Sequence, residues 1–183
     1  RQNGTTVRFK ADGEIFKETT VYTYDTLQTR LREQAFLNAG VSIQLIDERD
    51  PSERVPDEQG QEGVIDNTYC YKGGLSSFVE FLNGRKAGAV ELIHPDVIHF
   101  AAKSPDGEAS AEVAMQYTDS FNELLLSFAN NVRTTDGGTH EDGFKRALTR
   151  VMNDYARKYG ILKDNDKNLS GEDVREASPA SSA

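Results

Sequence analysis

Chemistry in this chain should be sought where titratable residues meet a glycine-rich turn. The stretch DGGTHEDGF, residues 136–144, is such a place. Two glycines precede Thr139 and His140, one of three histidines, and two acids follow. A histidine beside carboxylates suggests a general base or a metal ligand. Neighbours on a helix point in different directions, however, so His140, Glu141 and Asp142 do not converge on one ion. No HExxH motif occurs, and His94 and His99 lack a partner at ligand spacing. Glu141 and Asp142 are better explained as first-turn acids that complement the helix dipole. A glycine pair at a helix N-terminus can also cradle phosphate. A P-loop follows its glycines with Lys-Ser/Thr, whereas Thr-His-Glu-Asp stands here. Gly137 and Gly138 therefore read as a close backbone approach or a hinge. Ser76, Ser77, Ser127 and Ser170 have no GxSxG context, so no catalytic nucleophile is assigned.

The second candidate is a charge pattern. Residues 144–158, FKRALTRVMNDYARK, carry five basic side chains against one acid in a chain of net charge −9, which leaves −13 on the remainder. Such a face is either solvated surface or the footprint of a phosphate backbone. The residues alone leave both readings open.

The elements that must position these groups follow from periodicity. Thr5 to Phe9 reads as a short strand broken at Asp12-Gly13. Asp25 with Gln28 has capping-box register for a helix bearing Leu27, Leu31 and Ala35, ended by Gly40. A strand with Val41, Ile43 and Leu45 alternating comes next. Residues 50–63 are acid-rich, hold two prolines and have only Val55 to bury, which predicts a solvated, poorly ordered loop. The strand VIDNTYCY precedes a helix with Leu75, Phe78, Val79 and Leu82 on one face. Three further strands are expected, VIHFAAK, ASAEVAMQYT and ELLLSFANNV. A long helix should then start with Thr139 as N-cap and Asp142 at N3. Its inner stripe is read as Phe144, Ala147, Leu148, Val151 and Tyr155. Lys145, Arg146, Arg150 and Arg157 are left largely outside, and SGEDVREA looks like the start of one more helix. The order gives an α+β fold: a two-layer design with one mostly antiparallel sheet and helices on one face.

Composition sets the boundaries. A length of 183 residues suits one domain, or one plus a fragment. No apolar run approaches the ~18–20 residues of a membrane span, so no membrane partner is expected. The single cysteine, Cys70, excludes an internal disulfide and suits a reducing cytoplasm. The first residues, RQNGTTVRF, lack a methionine, a signal region and a transit pattern, and read as the interior of a longer chain.

The segments NGTTVRF, RLREQAFLNAGVSIQLIDER, YKGGLSSFVEFLN, FANNVRTTDGGTHEDGFKRALTRVMNDYARK and LSGEDVRE, together and in this order, resemble the B subunit of bacterial DNA gyrase and the related B subunit of topoisomerase IV. The likeness runs from Gly4 to Glu176. It implies residues 1–13 as the final strand of a GHKL ATP-binding domain and residues 14–176 as the transducer domain. Residues 177–183 are then a polar tail, appended or truncated. The implied fold is of transducer type, with one left-handed βαβ crossover that departs from the usual hand.

The resemblance also implies a parent that is an ATP-dependent type II topoisomerase, using ATP and Mg. Its partners would be DNA, the A subunit of gyrase or of topoisomerase IV, and a second B subunit. The family's ATP-binding asparagine, general-base glutamate, switch lysine and TOPRIM metal ligands have no counterpart in these residues. The chain alone is therefore expected to bind no cofactor and to be inactive. Thr5 matches the family threonine on the floor of the adenine pocket. Lys145 and Arg150 match basic positions that line the family's DNA cavity, and Arg146, turned outward by the helix stripe, is expected to face DNA with them. Gly137, Gly138, Thr139 and His140 become a structural corner that launches the basic helix. Two rival readings remain, a hydrolase built on His140 and a small RNA-binding module. The latter would require Tyr69, Tyr71, Phe100, Tyr117 and Phe128 exposed on a sheet face.

Overall fold

The computed structural model describes residues 4–5, 11–49, 65–85, 91–119 and 123–175. The first helix, α1 (Tyr24–Leu37), begins two residues earlier than its acid suggested. Thr23 is the N-cap, in extended backbone and without a side-chain bond, so Asp25 is a first-turn acid rather than the cap. The expected capping box with Gln28 is not formed. At the other end Asn38 closes the helix, its backbone N–H and its Nδ2 both donating to Gln34 O at 3.1 and 2.8 Å. Gly40, at φ +81°, then turns the chain, a conformation that costs glycine nothing.

Strand β1 (Ile43–Asp47) pairs antiparallel with β2 (Ile65–Tyr69), with Ile43 opposite Tyr69 and Asp47 opposite Ile65. Helix α2 (Gly74–Gly84) packs against α1. Aromatic rings join the two helices. Phe36, 1% exposed, stacks on Tyr71 at 3.6 Å between centroids and on Phe78 at 4.8 Å, with Phe81 tilted at 5.3 Å. Burying such a cluster removes the largest apolar surfaces in this part of the chain from water.

The second half begins with β3 (Ile98–Lys103) and β4 (Ser110–Met115), an antiparallel hairpin against which α2 packs. The stretch read as one strand over 123–132 is instead a hairpin, β5 (Phe128–Ala129) and β6 (Val132–Arg133). Asn130 and Asn131 both take positive φ, 48° and 65°, which is the tight-turn geometry that asparagine tolerates. Helix α3 (Thr139–Lys158) and the short α4 (Gly171–Arg175) complete the order. The second of these has a true capping box: Ser170 Oγ accepts from Asp173 N at 3.1 Å, and Ser170 N donates to Asp173 at 2.7 Å. The Ser170 hydroxyl, and then the Ser170 N–H, hold the Asp173 carboxyl below the usual carboxylate range.

The architecture is α+β, as expected, but the described strands form three two-stranded sheets rather than one. Every strand pair among them is antiparallel. A left-handed βαβ crossover needs a parallel pair, so the described residues hold none whose hand can be read. The strand expected over residues 5–9, apart from Thr5, lies outside the described residues, as do the 50–63 loop and the 177–183 tail. No helix among the described residues is long and apolar enough to cross a membrane.

Candidate functional site

The corner before α3 is built by two glycines in backbone states that other residues adopt at a cost. Gly137 has φ +72°, and Gly138, the N-cap, has φ +155°. Thr139 is the first helical residue and not the cap, and Asp142 N makes the first helical bond back to Gly138 O at 3.0 Å. Close approach is real: a Cβ on Gly138 would lie 2.8 Å from His140 Cε1.

Behind the corner runs a chain of polar contacts. His140 Nε2 lies 3.2 Å from Thr134 Oγ1, and Thr134 Oγ1 lies 2.6 Å from Ser127 Oγ. Ser127 donates to Glu141 at 2.7 Å, and Glu141 takes the Lys145 ammonium at 2.7 Å. With one proton per hydroxyl, Ser127 donates to Glu141 and Thr134 Oγ1 to the Ser127 carbonyl at 3.0 Å, which assigns His140 Nε2 as the donor to Thr134. In this assignment His140 does not accept from a hydroxyl, as a general base would. Among the described residues no group of three or more His, Cys, Asp or Glu is placed to hold a metal. The Glu141 carboxyl is held below its ordinary range, first by the bond from Lys145 and then by that from Ser127. Lys145 is pushed up by the same bond to Glu141.

Helix α3 presents a different face from the one its hydrophobic pattern suggested. Phe144 and Leu148 are half-buried, but Ala147 is exposed, as are Val151 at 57% and Tyr155 at 54%. The inner face is instead Thr149, Met152, Asn153 and Ala156. Asn153 explains the rotation. Its Nδ2 donates to Thr149 O and to Leu169 O at 2.9 and 3.0 Å, and its Oδ1 accepts from Leu169 N at 2.7 Å, so a buried amide fastens the following segment to the helix. Arg157, expected to face outward, is a second fastener. Its guanidinium donates to Lys163 O, Asp166 O and Asn168 Oδ1 at 3.0, 3.0 and 2.6 Å.

This docking forms a groove of about 510 Å³ between α3 and residues 168–175. Lys145, Arg146 and Arg150 line it together, and Arg175, which no sequence pattern singles out, joins them from α4. Lys145 and Arg175 are neutralised by Glu141 and by Glu123, at 2.7 and 2.9 Å. Arg146 and Arg150 are exposed and have no hydrogen bond or ion pair among the described residues. The groove thus holds two free guanidiniums backed by two paired cations, an arrangement suited to phosphate oxygens. Thr5 is exposed and stands apart from it. Of the aromatics an RNA-binding sheet would need, Tyr69 is buried and Tyr71 is stacked on Phe36, while Phe100 is exposed.

Comparison with known proteins bears on the whole chain. The family model described as DNA gyrase B matches residues 74–180. The DNA gyrase B subunits of Staphylococcus aureus and Clostridium acetobutylicum are each 50% identical to it, over 98% and 96% of the chain. The chain spans about a quarter of the length of these relatives, 25% and 24%. A crystal structure of the 43K ATPase domain of Thermus thermophilus gyrase B, in complex with an aminocoumarin, aligns with a TM-score of 0.66 at 30% identity. It covers 90% of this chain and 40% of that one. With the family model matched over more than half of its 183 residues, the chain belongs to the DNA gyrase B family.

Proposed function

We propose that this chain is the coupling segment of the B subunit of an ATP-dependent type II topoisomerase. In this reading residues 14–176 form the transducer domain, residues 1–13 belong to the preceding ATP-binding domain, and residues 177–183 are a tail. The segment passes nucleotide state to the gates through which DNA moves, in the bacterial cytoplasm, beside the A subunit and a second B subunit. Gyrase is favoured over topoisomerase IV by the names of the relatives. The observation that carries the reading is the basic groove: Arg146 and Arg150 are free in a chain of net charge −9. A duplex in transit must be guided without being held, and a few unpaired arginines on an acidic body provide weak, salt-dependent attraction. Lys145, tied to Glu141, supports the field of the groove rather than reaching out from it.

ATP and Mg belong to the parent protein in this reading. Thr5, the one residue assigned to nucleotide, is exposed, and no metal-ligand cluster exists among the described residues. The described residues do not by themselves fit a nucleotide–magnesium site. The test is Arg146→Glu with Arg150→Glu in the full-length B protein, reconstituted with its A partner. Strand passage should fall at low salt, and the deficit should narrow as salt is raised and screens the groove, with the melting temperature unchanged. Wild-type rates across a salt titration would remove the guiding role.

A further inference from the structure

Of the four cations that line the basic groove, Arg175 is the one tied to a different part of the chain. Lys145 pairs within its own helix, with Glu141 one turn back. Arg175, on α4, pairs with Glu123, its Nε donating to a carboxylate oxygen at 2.9 Å across 52 positions. The arginine side chain is only 19% exposed, so this ion pair lies mostly out of water. A second bond ties α4 to the same part of the chain, Tyr117 Oη donating to Val174 O at 3.0 Å. Tyr117 and Glu123 thus fasten the helix that forms one wall of the groove.

The bond to Glu123 uses one of the five N–H groups of the guanidinium. The two Nη nitrogens have no hydrogen bond among the described residues. One of them lies against Gly171, which lines the groove: a Cβ there would stand 2.7 Å from Nη1. Arg175 therefore holds a carboxylate with one edge and turns open donors toward the groove with the other. Its charge is felt inside. The Lys145 ammonium, raised first by its bond to Glu141, is raised further by Glu123 and lowered by Arg175, so one field joins the four groups.

We propose, building on the reading of the groove as a guide for DNA, that Arg175 is a charge switch for which Glu123 and a phosphate group in the groove compete. A phosphate on the Nη edge shares one cation with the Glu123 carboxylate, and two anions so close repel each other. The guanidinium fork also matches phosphate oxygens in pairs, which the single Nε bond to Glu123 does not exploit. Without phosphate the pair stays closed, because opening a mostly buried ion pair strands both charges. With phosphate the cation keeps a partner, and the tie from α4 to Glu123 weakens. Asn153 meanwhile holds Leu169 on α3, so the groove keeps its other wall. The coupling is reciprocal: if phosphate weakens the Glu123 bond, Glu123 weakens phosphate binding by the same factor. The groove thus reports its occupant to the segment that carries Glu123, and limits how tightly that occupant is held.

The test is salt-dependent binding of a duplex of roughly twelve base pairs, a little over one helical turn, to the whole chain by fluorescence anisotropy. At about 50 mM salt Glu123→Gln should bind on the order of fivefold tighter than wild type. Its slope of log K against log salt should steepen by about 1, since Arg175 becomes a further phosphate contact. Glu112→Gln removes the same charge from β4, outside the groove, and should leave the slope unchanged. Adding Arg175→Gln to Glu123→Gln should return the slope to the wild-type value. One measurement needs no variant: in the wild-type chain the nitrogen-15 resonance of Arg175 Nε, held by a carboxylate, should move when duplex is added. An unmoved resonance with duplex bound would overturn the switch and leave the guiding groove in place. So would a wild-type slope in Glu123→Gln, or a steeper slope that persists without Arg175. Failure of the wild-type chain to bind duplex even at about 20 mM salt would instead remove the groove reading, and the switch with it.

Discussion

At the scale of single residues, the two glycines before α3 differ in what a side chain would cost. Gly137 needs only its positive φ, since the nearest atom to an added Cβ is Glu141 Oε2 at an ordinary 3.6 Å. Gly138 needs both its φ and empty space beside the His140 ring. Gly137→Ala should therefore lower stability by about 1 kcal/mol. Gly138→Ala should lower it by about 3 kcal/mol and detach His140 from Thr134. Urea denaturation of the two variants checks this, and equal losses would refute the close-approach reading. The neighbouring Glu141–Lys145 pair makes a pH prediction. The Glu141 carboxyl is depressed by Lys145 and then Ser127, so its stabilisation is present above the ordinary glutamate range, about 4.3, and lost as pH falls through the folded value. Lys145, raised by Glu141, contributes below the ordinary lysine range, about 10.4, and loses that contribution as pH rises through its folded value. Between these limits Glu141→Gln should melt below wild type, and the gap should close as pH drops below about 4. Melting curves from pH 7 to 3 would show a constant gap if the carboxylate charge contributes nothing.

At the scale of elements, α3 shows how one buried amide outweighs a hydrophobic pattern. The stripe through Val151 and Tyr155 continues the apolar period of the helix, yet both residues remain more than half exposed. Asn153 makes three hydrogen bonds on the inner face, two of them to the backbone of Leu169. Asn153→Ala would strand the Leu169 N–H and C=O, and should cost about 2–3 kcal/mol. It should also loosen the segment that carries Asn168 and α4. Hydrogen exchange should report faster opening at Leu169 and Val174 while Phe36 and Phe78 stay protected. Uniform acceleration across the chain would mean that α4 is part of the same cooperative unit as the aromatic core.

At the scale of the whole molecule, charge decides behaviour toward DNA. The acidic body opposes the groove, so the isolated chain should bind duplex weakly at physiological salt. Two free guanidiniums set the salt dependence, and Arg146→Ala or Arg150→Ala should each reduce the slope of log K against log salt by about 1. Lys145→Ala should change it less, because that ammonium is already held by Glu141. Equal slopes for all three variants, measured by fluorescence anisotropy on one duplex, would show that the ion pair does not shield Lys145.

How much of this was legible in the sequence follows from the range of the forces involved. The α+β class, the helix and strand order from α1 to β4, the start of a helix at SGEDVREA and the acid–base asymmetry of residues 144–158 depend on neighbours a few positions apart. The glycine corner was readable for the same reason, since a positive φ is a local demand. Local signals misled where a distant partner intervened. Asn130 and Asn131 split an apolar run into a hairpin. Thr139 yielded the cap position to Gly138. Arg157 turned inward to a loop up to eleven residues away. The free state of Arg146 and Arg150 beside the paired state of Lys145 and Arg175 was decided only by folding, because Glu123 reaches Arg175 across 52 positions. Periodicity fixes which residues can share a face. Which face is buried is settled by the hydrogen bonds that tertiary contact must satisfy.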